Sequence, residues 1–197
     1  MKRLLAAALA LFAAATAQAG PISWDISWTA SPAILTAGST SKIIVTPGSD
    51  SGPSDPGEVQ STPAAFFTYS SKATTPDTFT AKAFDLTAKV TDTASGLSQN
   101  LTFHLQFDGG LSSSGQSLNL TFPSGDQVTG VLGGHVYHVQ LGEFSPPPSY
   151  PQNRFVPGVL VASVTAGQVP EPGTLLLAAL AAPALGLACR RRRRPAA

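Results

Sequence analysis

Leu101-Thr102-Phe103-His104-Leu105-Gln106-Phe107-Asp108 alternates apolar and polar side chains without a break. Successive side chains of a strand point to opposite faces, so this stretch reads as a half-buried β-strand, ended by Gly109-Gly110. The same period of two recurs on both sides of it. Ile22, Trp24, Ile26 and Trp28 share one face, against Ser23, Asp25, Ser27 and Thr29. A second strand is expected within 39–46 around Ile43-Ile44-Val45, and a short third from Phe66 to Ser70. From Thr78 to Thr91, Phe79, Ala81 and Ala83 give way to Phe84, Leu86, Ala88 and Val90. The parity changes between Ala83 and Phe84, which predicts a bulge or a strand passing between sheets. Leu118, Leu120 and Phe122, then 136–141 and 159–165, complete eight or nine short strands. No window carries a helical apolar stripe, so there are no crossover helices for a parallel sheet. The expected fold is all-β, an antiparallel β-sandwich of Greek-key or jelly-roll type.

Two proline-rich stretches read as long loops. Residues 47–63 hold four prolines and three glycines with Asp50, Asp55 and Glu58, and 144–157 hold Pro146-Pro147-Pro148 with Tyr150 and Arg154. Long loops on a rigid sandwich are where binding is usually placed.

The ends of the chain differ from its middle. Met1-Lys2-Arg3, an uncharged run from Leu4 to Ala15, and then Ala17-Gln18-Ala19 form a secretory signal peptide over 1–19, with signal peptidase expected to cut before Gly20. Residues 20–167 are the domain. Residues 20–168 carry five Lys/Arg against ten Asp/Glu, a net charge of −5, which suits a soluble exported protein and not a nucleic-acid binder. The one cysteine, Cys189, lies outside the domain, so no disulfide, thiolate zinc site or thiol nucleophile is available to it. The remaining segment, 168–197, opens with Val169-Pro170-Glu171-Pro172. An uncharged stretch from Gly173 to Cys189 follows, about 25 Å long as a helix and expected to cross a membrane once. Arg190, Arg191, Arg192, Arg193 and Arg194 then hold the far end on the cytoplasmic side, leaving the domain outside.

This order of motif, short apolar helix and arginine cluster resembles the PEP-CTERM sorting signal of Gram-negative bacteria. The resemblance covers about residues 168–197. It implies recognition by an exosortase, a multi-pass membrane enzyme with a cysteine nucleophile that would cut at or near Pro170-Glu171-Pro172. It also implies transient residence in the inner membrane with the domain in the periplasm, then delivery to the outer surface or an extracellular matrix rich in exopolysaccharide.

Chemistry within the domain is sparse. His104, His135 and His138 could ligate zinc or serve a hydrolase if they converged, but His135 and His138 are three apart and fall on opposite faces of a strand. Ser112-Ser113-Ser114-Gly115 lacks the strand-to-helix context of a nucleophile elbow. Asp85 and Asp108 are the acids to consider as a glycosidase pair. Asp50, Asp55 and Glu58 are weak calcium ligands, in a loop without EF-hand order. Trp24, Trp28 and Tyr150 are the carbohydrate-stacking candidates, although Ile22 and Ile26 share the tryptophan face and point to a core strand. Asn100-Leu101-Thr102 and Asn119-Leu120-Thr121 match the glycosylation sequon without carrying weight in a bacterial protein. The expectation is a structural or adhesive exported protein with no cofactor and no catalytic site; a carbohydrate-binding module is the alternative, and an exported hydrolase the next.

Overall fold

A computed structural model describes residues 20–146 and 158–169. Eleven strands are found among them: β1 (Ile22–Ser31), β2 (Ile34–Ala37), β3 (Ser41–Pro47), β4 (Ser49–Ser54), β5 (Val59–Ser70), β6 (Asp77–Asp92), β7 (Ser98–Leu111), β8 (Asn119–Thr121), β9 (Gln127–Leu132), β10 (His135–Ser145) and β11 (Gly158–Gln168). They form a five-stranded sheet in the order β4-β1-β6-β7-β8 and a six-stranded sheet in the order β2-β3-β5-β11-β10-β9. The result is an all-β, two-sheet, sandwich-like fold. Among the described residues no helix is long and apolar enough to cross a membrane; the expected signal peptide and membrane span lie outside those residues.

Alternation sets which face goes inward. In β1 the apolar set Ile22, Trp24, Ile26 and Trp28 is buried and the polar set is exposed. In β7, Leu101, Phe103, Leu105 and Phe107 are buried in the same way. The sheets are stitched by an aromatic cluster. Phe67 of β5 meets Phe84 of β6, Phe107 of β7 and Phe144 of β10 edge-on, with ring centroids 6.1, 5.3 and 5.4 Å apart. Phe84 and Phe107 stack at 5.7 Å. Such pairs add about 0.5–1.5 kcal/mol each to the burial of their area. The strands and the core they enclose close within Ile22–Gln168, and the compact unit ends at Gly167. Every described strand and core residue lies within this span, so 20–169 is expected to fold on its own.

Several sequence expectations are corrected. Residues 47–63 are not one long loop, because β4 and the first half of β5 occupy them. The parity shift in β6 lies earlier than Ala83/Phe84. Register slips between Phe79 and Lys82, at Ala81, whose φ is +49°. The Ala81 amide there donates to Asp108 Oδ1 at 2.8 Å. Strand β7 runs through Gly109-Gly110 to Leu111. Gly109 has φ +122°, and a Cβ there would stand 2.0 Å from the Ser117 carbonyl oxygen, so only glycine lets the strand continue.

The two tryptophans of β1 share a face but differ in their polar ends. Trp24 Nε1 donates to Ser54 Oγ at 3.1 Å, whereas Trp28 Nε1 is buried without a hydrogen-bond partner among the described residues. A buried donor left unpaired forfeits about 1–3 kcal/mol, so replacing Trp28 by phenylalanine recovers that cost and partly offsets the lost volume. Trp24→Phe instead strands the Ser54 hydroxyl. Urea denaturation is expected to find Trp24→Phe about 1 kcal/mol less stable than Trp28→Phe. Equal losses would show that the Trp24–Ser54 bond contributes nothing.

Candidate functional site

Strand β11 carries the chain into the tail. It lies between β5 and β10, and Leu160, Ala162, Val164 and Ala166 are fully buried. Near its end the Gly57 amide donates to the Ala166 carbonyl at 2.7 Å. Gln168 and Val169 are exposed, so the sorting stretch begins immediately beyond the ladder. Pro170, Glu171, Pro172, the apolar stretch 173–189 with Cys189, and Arg190 to Arg194 lie outside the described residues. So do Ala17, Ala19 and Tyr150; Gly20 is exposed.

Trp24 and Trp28 are core residues, 2% and 4% exposed, and offer no sugar-stacking face. Their strand has a neighbour on each side and its apolar face turned to the other sheet, which removes them as carbohydrate contacts. The calcium candidates do not assemble. Asp50 stands on β4 opposite Ile26, while Glu58 turns its carboxylate back to the Asp55 amide at 3.1 Å. Among the described residues no three His, Cys, Asp or Glu side chains form a metal-holding group.

The three histidines sit in three places. His104 Nδ1 and Asp85 Oδ1 are 2.7 Å apart on the outer face of the five-stranded sheet. His138 bonds Thr129 at 2.9 Å on the outer face of the other. His135 Nδ1 donates to Asp92 Oδ2 at 2.5 Å. Asp85 and Asp108 belong to separate networks, because Asp108 holds the β6 bulge and accepts from Gln106 Nε2 at 2.8 Å. Those hydrogen bonds, Gln106 first and then the Ala81 amide, keep the Asp108 carboxyl below its ordinary value of 3.8. Ser112 closes a tight turn, its amide donating to the Gly115 carbonyl at 2.9 Å.

Asp92, not singled out by sequence, is the most heavily bonded buried side chain among the described residues. It is fully buried at the end of β6. Oδ1 accepts from the Ala94 and Ser95 amides, each at 2.9 Å, and Oδ2 accepts from His135 and from the Tyr137 hydroxyl at 3.0 Å. The first pair shapes the β6–β7 turn; the second ties it to β10 of the opposite sheet. Burial opposes ionisation of Asp92. The His135 hydrogen bond, the Ser95 amide, the Tyr137 hydroxyl and the His135 charge outweigh it and hold the carboxyl below 3.8. Burial and then the Asp92 carboxylate push the Tyr137 hydroxyl above its ordinary range. The visible signal was Asp92-Thr93-Ala94-Ser95-Gly96, a turn-forming sequence after a strand.

The outer face of the five-stranded sheet is a continuous polar surface. Register aligns Ser51, Asp25, Thr91 and Ser98 in one cross-strand row, and Ser49, Ser27, Lys89 and Asn100 in the next. Thr29, Thr87 and Thr102 make a third, with the last two hydroxyls 3.0 Å apart. A shallow groove of about 460 Å³ lies among the first two rows between Asp25, Asp50 and Lys89.

Compared with known proteins, no curated protein and no solved structure matches the chain. Residues 168–194 do match the PEP-CTERM protein-sorting motif. The chain thus carries a PEP-CTERM motif near its C-terminus, which supports export and sorting by an exosortase-type system.

Proposed function

We propose that the exported portion is a non-catalytic structural or adhesive component of the cell envelope or extracellular matrix that associates with exopolysaccharide. In this reading signal peptidase and exosortase act on the two ends, and the inner membrane holds the chain only in transit. The observation that carries it is the sorting motif placed directly after the last strand of a folded domain. Polymer contact is assigned to the polar rows of the five-stranded sheet, since Trp24 and Trp28 are withdrawn into the core. Hydroxyls and amides there exchange water for sugar hydroxyls at a net gain of only about 0.5–1.5 kcal/mol per bond, so useful affinity requires many contacts along a chain. Asp25 and Asp85 outnumber Lys89 on this face and disfavour a polyanion. A neutral polymer is the expected ligand.

The test is binding of purified 20–169 to the producing organism's own polysaccharide and to unrelated polysaccharides, at low and at physiological salt. Saturable, salt-resistant binding to the native polymer is expected, weakened at least about fivefold by Asp25→Ala with Thr91→Ala, a loss of about 1 kcal/mol. Absence of saturable binding would remove polymer recognition from the domain and leave delivery as the tail's only contribution.

A further inference from the structure

The outer face of the six-stranded sheet has the opposite character. Ile34 pairs with Ile44 across β2 and β3, Phe66 pairs with Val159 across β5 and β11, and Val161 follows two residues along β11. Ile34 is 54% and Val161 40% exposed; Ile44, Phe66 and Val159 are half-buried. Ser163 Oγ reaches the Gln140 carbonyl and Gly142 lies against the Val161 carbonyl, so β10 runs antiparallel to β11. That register extends the sheet to the exposed Val131, paired with Val136. Among the described residues, the outward ladder positions of this sheet carry one charged side chain, Lys42, and one histidine, His138, already bonded to Thr129. Glu143 lies beyond them near the end of β10.

We propose that this face is where a second copy of the chain docks, sheet against sheet. The proposal deepens the structural role proposed above and rests on it. Two features of the face select this occupant. The first is charge: residues 20–168 carry −5, and two copies repel unless they meet on a surface nearly free of charge, which the face bearing Asp25, Asp85 and Lys89 is not. The second is area. Six strands about 4.8 Å apart and about six residues long give a plane of about 29 by 20 Å, or about 1,100 Å² covered in a symmetric pair. That clears the about 1,000 Å² expected of a biological interface. The exposed side chains are mostly β-branched and interleaved with threonine, forming the flat, pleated surface that a second sheet packs on.

Sedimentation velocity of 20–169 between about 1 and about 300 μM in physiological salt tests this. A concentration-dependent shift from monomer to dimer is expected. Val161→Asp and Val161→Lys change the net charge in opposite directions, yet both should weaken the dimer at least about thirtyfold, because each buries an unpaired charge in the contact. Thr75→Lys, in the exposed segment between β5 and β6, should leave it unchanged. Partial exposure lets both Val161 variants fold, and Ile34→Lys on the edge strand β2 should reproduce their effect. A monomer throughout the range, or a dimer indifferent to Val161 and Ile34, overturns the proposal. So does a monomer that binds phosphatidylcholine vesicles through Val161, which would give the face to lipid. Polysaccharide binding measured on the same samples keeps the two readings apart. A monomer that binds polymer loses the dimer alone, and a dimer that does not bind loses the polymer alone.

Discussion

A chain ended at Val161 is expected not to fold, whereas one ended at Val169 is expected to fold with every described ladder intact. The eight residues between decide this because β11 is an interior strand. Ala162, Ser163, Val164 and Thr165 pair with Thr62, Ser61, Gln60 and Val59 on one side, and β10 lies along the other. The shorter chain loses the buried Ala162, Val164 and Ala166 and opens β5 and β10 along a seam in the middle of the sheet. Burial of Val164 contributes about 2 kcal/mol, and each ladder hydrogen bond about 1 kcal/mol net. Summed over two ladders this approaches the about 5–15 kcal/mol by which a whole domain is stable. Far-UV circular dichroism and tryptophan emission report the outcome, since Trp24 and Trp28 are buried when the sandwich is intact. A native spectrum from the chain ended at Val161 would sink the claim that β11 closes the fold. For processing, the consequence is that a cut beyond Gln168 spares every ladder of the described residues.

Legibility in the sequence followed how much of each strand's identity resides in large apolar side chains. Strands β1 and β7 announce themselves because every second residue is Ile, Trp, Leu or Phe and all of these are buried. Strand β4 is invisible by that measure. Its sequence is Ser-Asp-Ser-Gly-Pro-Ser, only Ser54 is buried, and it is held at a sheet edge by pairing with β1 alone. In β9, one of the two buried positions is Gly130, close to the Gln99 and Leu101 side chains of β7, and glycine leaves no apolar mark in the sequence. The misplaced shift in β6 has the reverse cause, since Ala81 and Ala83 count as apolar yet both are exposed. The sorting motif was readable because its order along the chain is its content. The Asp92 network was not, because Asp92 and His135 are 43 residues apart and meet only once the two sheets pack.

Replacing Asp92 by alanine is expected to cost about 4 kcal/mol at neutral pH, because several buried donors lose one charged acceptor at once. Two amides of the β6–β7 turn lose their acceptor, and the fully buried Tyr137 hydroxyl loses its partner in the opposite sheet. Asp92→Asn keeps an acceptor for the turn but loses the charge that strengthens the bonds from His135 and Tyr137, so a loss of about 2 kcal/mol is expected. The pH dependence gives a second check. The carboxyl is held below 3.8 in the folded domain, so the unfolded chain binds its proton first as pH falls. The contribution of Asp92 is therefore complete above about pH 5, begins to fade as pH drops toward 3.8, and is gone once pH has passed below the lowered folded value. Urea denaturation at pH 7 and at successively lower pH should show the gap between the native protein and Asp92→Asn narrowing in acid. A gap that stays constant with pH would mean that the ionised carboxylate is not what joins the two sheets, and a loss under about 1 kcal/mol for Asp92→Ala would mean that the turn and Tyr137 find other partners.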